Sequence, residues 1–104
     1  MYEEKFSMRL AHLRMQKGVS ARDMSLSLGQ NVNYINNIEN GKAMPSMTAF
    51  FFICAYLHVT PTEFFDFEAE DPQQSRMLGE KLRRLSSRQT EAFITLVDTV
   101  LAHK

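Results

Sequence analysis

Five of the ten residues from 31 to 40 are asparagine: Asn31, Asn33, Asn36, Asn37 and Asn40. Each carries one carbonyl acceptor and an amide with two donors on a short arm. That chemistry is hydrogen-bond recognition, with no nucleophile and no proton to exchange. Asn weakens a helix interior, because its amide competes with the backbone. Such a density therefore reads as selected for contact, against the blander alternative of solvated helix surface. Reaction chemistry is missing elsewhere in the 104 residues. There is no Ser-His-Asp set, no catalytic carboxylate pair and no Gly-rich phosphate loop. The Thr60/Glu63 pairing is accounted for by helix capping. His12, His58 and His103 lie far apart among helical residues, and Cys54 is the lone cysteine. No zinc spacing and no internal disulfide follow from them. The chain is expected to be no enzyme and to hold no metal, cofactor or evident small-molecule ligand.

The elements that must hold these side chains are helices, since apolar residues recur at helical spacing almost throughout. Phe6, Leu10 and Leu13 mark a first helix over 2–17, stopped by Gly18. Ser20 opens a capping box with Asp23; Met24 and Leu28 line the short helix that follows, which Gly29 ends. Asn31 is the expected cap of a third helix, with Ile35 and Ile38 inward and Gly41 at its end. After a loop to Pro45, Ser46 caps a fourth, with Phe50, Ile53 and Leu57 inside. The run Thr60-Pro61-Thr62-Glu63 is a second capping box with Pro at the first helical position, opening a fifth helix with Phe64 and Phe65. The acidic, Pro-ended stretch Glu68–Pro72 is the best boundary. Leu78, Leu82 and Leu85 mark a sixth helix. Ser86 and Ser87 compete to cap a seventh, which carries Phe93, Leu96, Val97, Val100 and Leu101 on one side. The expected fold is all-α: a five-helix domain, 1–68, then a C-terminal helical hairpin, 72–104.

Twelve Lys and Arg balance twelve Asp and Glu, with 44% hydrophobic and 23% charged residues. These values exclude a polybasic DNA coat, an acidic tail and a disordered chain. The balance is uneven along the chain: residues 1–70 hold six basic and eight acidic groups, residues 71–104 six basic and four acidic. The most apolar stretch, Ala49–Val59, is too short for a bilayer, which needs about 20 residues. The charged run Met1–Arg9 does not read as a signal peptide. With its single cysteine, the chain is expected to be cytoplasmic.

The order Gly18, Ser20, Gly29, Glu39, Gly41, Pro45, Ser46 carries the functional argument. Two short helices joined by a tight Gly turn must cross steeply, and small Ser25, one turn before Gly29, lets the next helix approach. That arrangement presents a second helix outward, as a helix-turn-helix presents its reader to the major groove. From Leu10 to Phe65 the chain resembles the lambda-repressor-like, XRE-type helix-turn-helix family. Leu10, Leu13, Arg14, Gly18, Ser20, Met24, Gly29, Ile35, Ile38, Glu39, Gly41, Pro45, Ser46, Ile53, Leu57, Val59 and Phe65 carry the resemblance.

The resemblance implies that 31–40 is the recognition helix. Base edges would be met by Asn31, Val32 and Asn33, with Asn36 and Asn37 a turn on. Asn pairs with adenine N6 and N7, and Val presses on a thymine methyl, which suits an A·T-containing half-site. Phosphates would be held by Ser20, Arg22, Tyr34, Asn40, Lys42 and Ser46, with helix N-termini assisting. Arg14 and Glu39 match a pair that ties the first helix to the end of the recognition helix. The sequence also departs from the family. Ala21 stands where Gln is common, Ser25 where Ala is common, and the recognition helix has no Lys or Arg. Arg-to-guanine contacts are therefore unavailable from it, and counterion release should be modest.

Other residues admit two readings. Cys54 reads as a buried, inert thiol or as a redox sensor. Phe51, Phe52 and Tyr56 occupy places where the family often has a polar residue, so either the C-terminal helices or a partner would cover them. The 3-4 spacing of Phe93, Leu96, Val97, Val100 and Leu101 suits a lid on the core or a dimerisation element. Together these features imply a transcriptional regulator, a repressor, reading double-stranded DNA as a homodimer. The alternative is a helix-turn-helix scaffold used as an antitoxin-like or adaptor module, with weak or no DNA binding.

Overall fold

Helix ends in this chain are set by local hydrogen bonding. The structure is a computed structural model and describes residues 1–68 and 70–103. Seven helices form among the described residues: α1 (Tyr2–Lys17), α2 (Ala21–Ser27), α3 (Tyr34–Glu39), α4 (Met47–Leu57), α5 (Pro61–Phe65), α6 (Pro72–Leu82) and α7 (Ser87–Ala102). No helix among them is long and apolar enough to cross a membrane.

Ser20, Ser46, Thr60 and Ser86 cap α2, α4, α5 and α7, each accepting a hydrogen bond from the backbone N–H three residues on. The reciprocal half of the capping box closes at Thr60/Glu63 and at Ser86/Gln89. At Ser20 only the forward bond is made, because Asp23 is one methylene shorter than the usual Glu or Gln. Ser86, rather than Ser87, is thus the cap of α7.

The helix stops repeat one device. After α2, Gln30 N–H bonds Ser25 O and Gly29 N–H bonds Leu26 O; after α3, Lys42 N–H bonds Asn37 O and Gly41 N–H bonds Ile38 O. After α4 the same pair runs from Val59 to Cys54 and from His58 to Ala55. These double bonds are Schellman closures, which need a left-handed residue. Gly41 provides it at φ 74°, whereas α4 uses His58 at φ 58°, a conformation that costs a side chain about 1–2 kcal/mol.

Cα packing divides the chain into two compact units, Met1–Pro72 and the residues from Gln73 on. In the first, α1 packs against α3, α4 and α5, and α2 against α3. Its core joins Phe6, Leu10, Leu13, Met24, Ile35, Ile38, Phe50, Ile53, Cys54, Leu57, Val59 and Phe64. Phe6 and Phe50 flank Phe64 at ring distances of 4.8 and 5.1 Å, the latter edge-on. Phe64 is the buried member of the α5 pair; Phe65 is half exposed, as are Phe51 and Phe52. In the second unit no described side chain beyond Pro72 is buried. Leu82, Leu85 and Phe93 are half-buried, and Leu78, Leu96, Val100 and Leu101 are exposed.

Candidate nucleic-acid interface

The stretch predicted to be one helix over 31–40 is shorter and differently built. Asn31 does not cap α3. Its Oδ1 accepts the Asn33 N–H at 2.9 Å, and its carbonyl accepts the Tyr34 N–H at 2.9 Å. Residues 31–34 are therefore a turn, and the i→i+4 ladder begins only with Asn37 N–H to Asn33 O. The Asn side chain competes successfully with helix continuation, as its chemistry favours. Asn33 is the N-cap residue, without a side-chain capping bond.

A helix of six residues has no stability of its own, so packing must hold α3. Ile35 and Ile38 are fully buried beneath it. Polar groups then fasten it at each end. Ser25, fully buried on α2, donates its hydroxyl to Ala21 O at 2.7 Å and accepts the Ile35 N–H at 3.0 Å. It thereby satisfies an amide of the first turn that has no partner within the helix. At the other end, Ser7 Oγ of α1 donates to Ile38 O at 2.7 Å. Arg14 then grips Glu39 in a two-pronged ion pair, at 2.7 and 3.0 Å, while a third nitrogen donates to Val19 O at 2.9 Å. The carboxylate pairing raises the pKa of the Arg14 guanidinium against the opposing effect of burial. Both side chains are largely sheltered, so the pair is worth more than a surface salt bridge.

The outward side of this fastened helix is polar. Asn33, Asn36 and Asn40 are exposed; Asn37, Val32 and Tyr34 are half-buried, and Asn31 is exposed on the preceding turn. Tyr34 packs against the core, and burial pushes its phenol pKa upward. Ser20, Arg22, Lys42 and Ser46 are exposed on the flanking segments. The turn at Asn31 and the shortness of α3 are the corrections to the expected reading head. The dimerisation candidates Phe93, Leu96, Val97, Val100 and Leu101 all lie on α7 and so outside this unit.

Three residues that matter here escaped the sequence reading. Ser7, Ser25 as a hydroxyl bridge, and Arg9 all act through hydrogen bonds from buried positions. Arg9 donates to Phe64 O and Glu63 O, both at 2.8 Å, closing the end of α5 against α1. Burial lowers its pKa, which nearby Asp66 partly offsets. The available signal was position: Arg9 lies between Phe6 and Leu10 and Leu13 at the 3-4 spacing of the inward stripe. A charge on such a stripe is buried only with partners. Cys54 is buried, and its thiol is pushed up to about 11 by desolvation, which makes it unreactive.

A family model described as helix-turn-helix matches residues 10–64, a little over half the chain. No curated protein and no solved structure matches it. Ser25, Arg14 and Glu39 fall inside the matched stretch; Ser7 and Arg9 precede it.

Proposed function

The chain belongs to the lambda-repressor-like, XRE-type helix-turn-helix family of DNA-binding regulators, and from that premise we propose that it is a transcriptional repressor that reads double-stranded DNA sequence-specifically as a homodimer. The observation that carries the reading is the contrast within α3. Its inner side and both ends are locked by Ile35, Ile38, Ser25, Ser7 and Arg14, while its outer side is left to Asn amides. Rigid presentation of hydrogen-bonding groups is what base reading requires.

Asn33 and Asn36 are the foremost base readers in this reading, because both are exposed and neither caps the helix. Asn31 has its carbonyl engaged with Asn33 N–H and contributes mainly through its amide. Val32 and Asn37 supply apolar and polar contact at the edges. Arg22, Lys42, Ser20, Asn40, Ser46 and the Tyr34 hydroxyl line up on phosphates, positioning the head without reading sequence. With no Lys or Arg on α3, affinity rests on geometry and on two half-sites about 34 Å apart.

Selection from a randomised duplex pool tests the proposal, with recovery of a two-fold, A·T-containing site as the expected result. On that site, Asn33→Ala should cost selectivity of about 1–3 kcal/mol at one base pair. Lys42→Ala should weaken all sequences alike and lower the salt slope by about 1. No enrichment at low salt would sink the reading.

A second reading draws on one feature. Tyr2, Phe6, Met44, Pro45, Met47, Phe50, Phe65 and Phe67 line an apolar groove of about 480 Å³ in the first unit. With the lack of basic residues on α3, it favours an antitoxin-like or adaptor module, which the same selection would expose by failing.

A further inference from the structure

We propose that the apolar face of α7 is the self-association surface of the chain and that a second copy of this chain occupies it; this deepens the homodimer reading above. On α7 the polar residues Arg88, Glu91, Thr95, Asp98 and Thr99 gather on one side, and the aliphatic residues on the other. The polar side is partly satisfied from within, since Thr95 and Thr99 hydroxyls donate to Glu91 O and Thr95 O at 3.1 and 2.9 Å. The aliphatic side has no such closure. Ile94, Leu96, Val97, Val100 and Leu101 are 53, 58, 37, 62 and 57% exposed.

A 16-residue helix is marginal in water without tertiary packing of its apolar stripe, and no residue of α7 is buried. The missing burial must come from outside the chain. At roughly 100 Å² for each exposed aliphatic side chain, one α7 offers about 500 Å² and a pair about 1,000 Å², the size at which a specific interface becomes stable. The stripe itself carries no charge, so it holds nothing to recognise an acidic or basic peptide. An uncharged aliphatic stripe is instead complementary to itself, and a two-fold axis sets each copy against the same residues of the other. That symmetry is also what two half-sites require.

Light scattering of the full chain without DNA tests this surface apart from DNA reading. The wild type should show twice the chain mass at about 100 μM. Val97→Asp with Val100→Asp should halve it and leave the circular dichroism of the first unit in place. Phe51→Asp, beside the apolar groove, should remain a dimer. A second measurement does not depend on that variant's folding: Val97→Cys should form a disulfide-linked dimer under mild oxidation, and Thr95→Cys, on the polar side, should not. A monomeric wild type, a dimer indifferent to the α7 changes, or loss of the dimer with Phe51→Asp would each overturn the proposal. A dimer that behaves as expected but enriches no duplex would instead remove the DNA reading and leave the surface standing.

Discussion

The two units of this chain handle the same kind of residue in opposite ways. The first buries twelve apolar side chains and ties its helices together with Ser7, Arg9, Arg14 and Ser25. The second contains an amphipathic helix as long as α1 and buries none of it. Both α1 and α7 run 16 residues. What separates them is where the partner surface comes from. α1 finds three other helices within its own unit, whereas the stripe of α7 faces water. Apolar periodicity therefore announces that a face will be covered, and says nothing about what covers it.

That comparison breaks most sharply under core truncation. Phe64→Ala should cost about 3–5 kcal/mol in urea denaturation, because it empties a site between Phe6 and Phe50. Leu96→Ala, at a concentration where the chain is monomeric, should cost less than about 1 kcal/mol, since little burial is lost. Equal losses would erase the distinction between the units. The polar fastenings come next. Glu39→Gln should cost about 2–3 kcal/mol, because Arg14 keeps its charge in a sheltered place without its counterion. An effect near zero would reduce the pair to a surface contact.

The buried thiol gives the first unit a pH signature. Cys54 titrates near 11 in the folded chain, above its unfolded value of 9.0, so the folded state holds its proton longer. Its contribution is complete below pH 9 and drains away as pH rises through 11, to a total of about 2–3 kcal/mol. Cys54→Ala should flatten that alkaline limb in a comparison of chemical denaturation at pH 8 and pH 11. Ser25→Ala should cost about 1–3 kcal/mol, chiefly by orphaning the Ile35 amide, whose hydrogen exchange should quicken more than its neighbours'. The smallest change sharpens the picture of the second unit. Gly79 lies inside α6, and a methyl there would meet only the Arg83 guanidinium, at 4.0 Å. Gly79→Ala should therefore raise helical stability by about 0.5–1 kcal/mol, read as helicity on dilution.

Helix faces and their punctuation were legible in the sequence because they depend on local chemistry. Phe6, Leu10, Leu13, Ile35, Ile38, Phe50, Ile53 and Leu57 announce themselves by spacing, and all are buried. The start of α3 was misread because Asn31 suits a cap and a turn equally, and the choice falls on hydrogen bonds to Asn33 and Tyr34. His58 was read as a helix-end residue, and its left-handed backbone had no marker, since no Gly stands there. Ser7 and Ser25 looked like small fillers. Their roles depend on carbonyls and amides from elements 31 and 10 residues away, which no local pattern encodes.

The clasp of Arg9 on the carbonyls of Glu63 and Phe64 reaches across 54 and 55 residues, with Phe64 also seated against Phe6. The oldest part of a growing chain is thus completed by some of its latest. During synthesis α1 leaves the ribosome first and must wait, its apolar stripe uncovered, until α5 has followed. The first unit consequently closes as a ring rather than growing as a stack. A chain halted before Phe64 holds most of the reading head and none of the closure that keeps it folded.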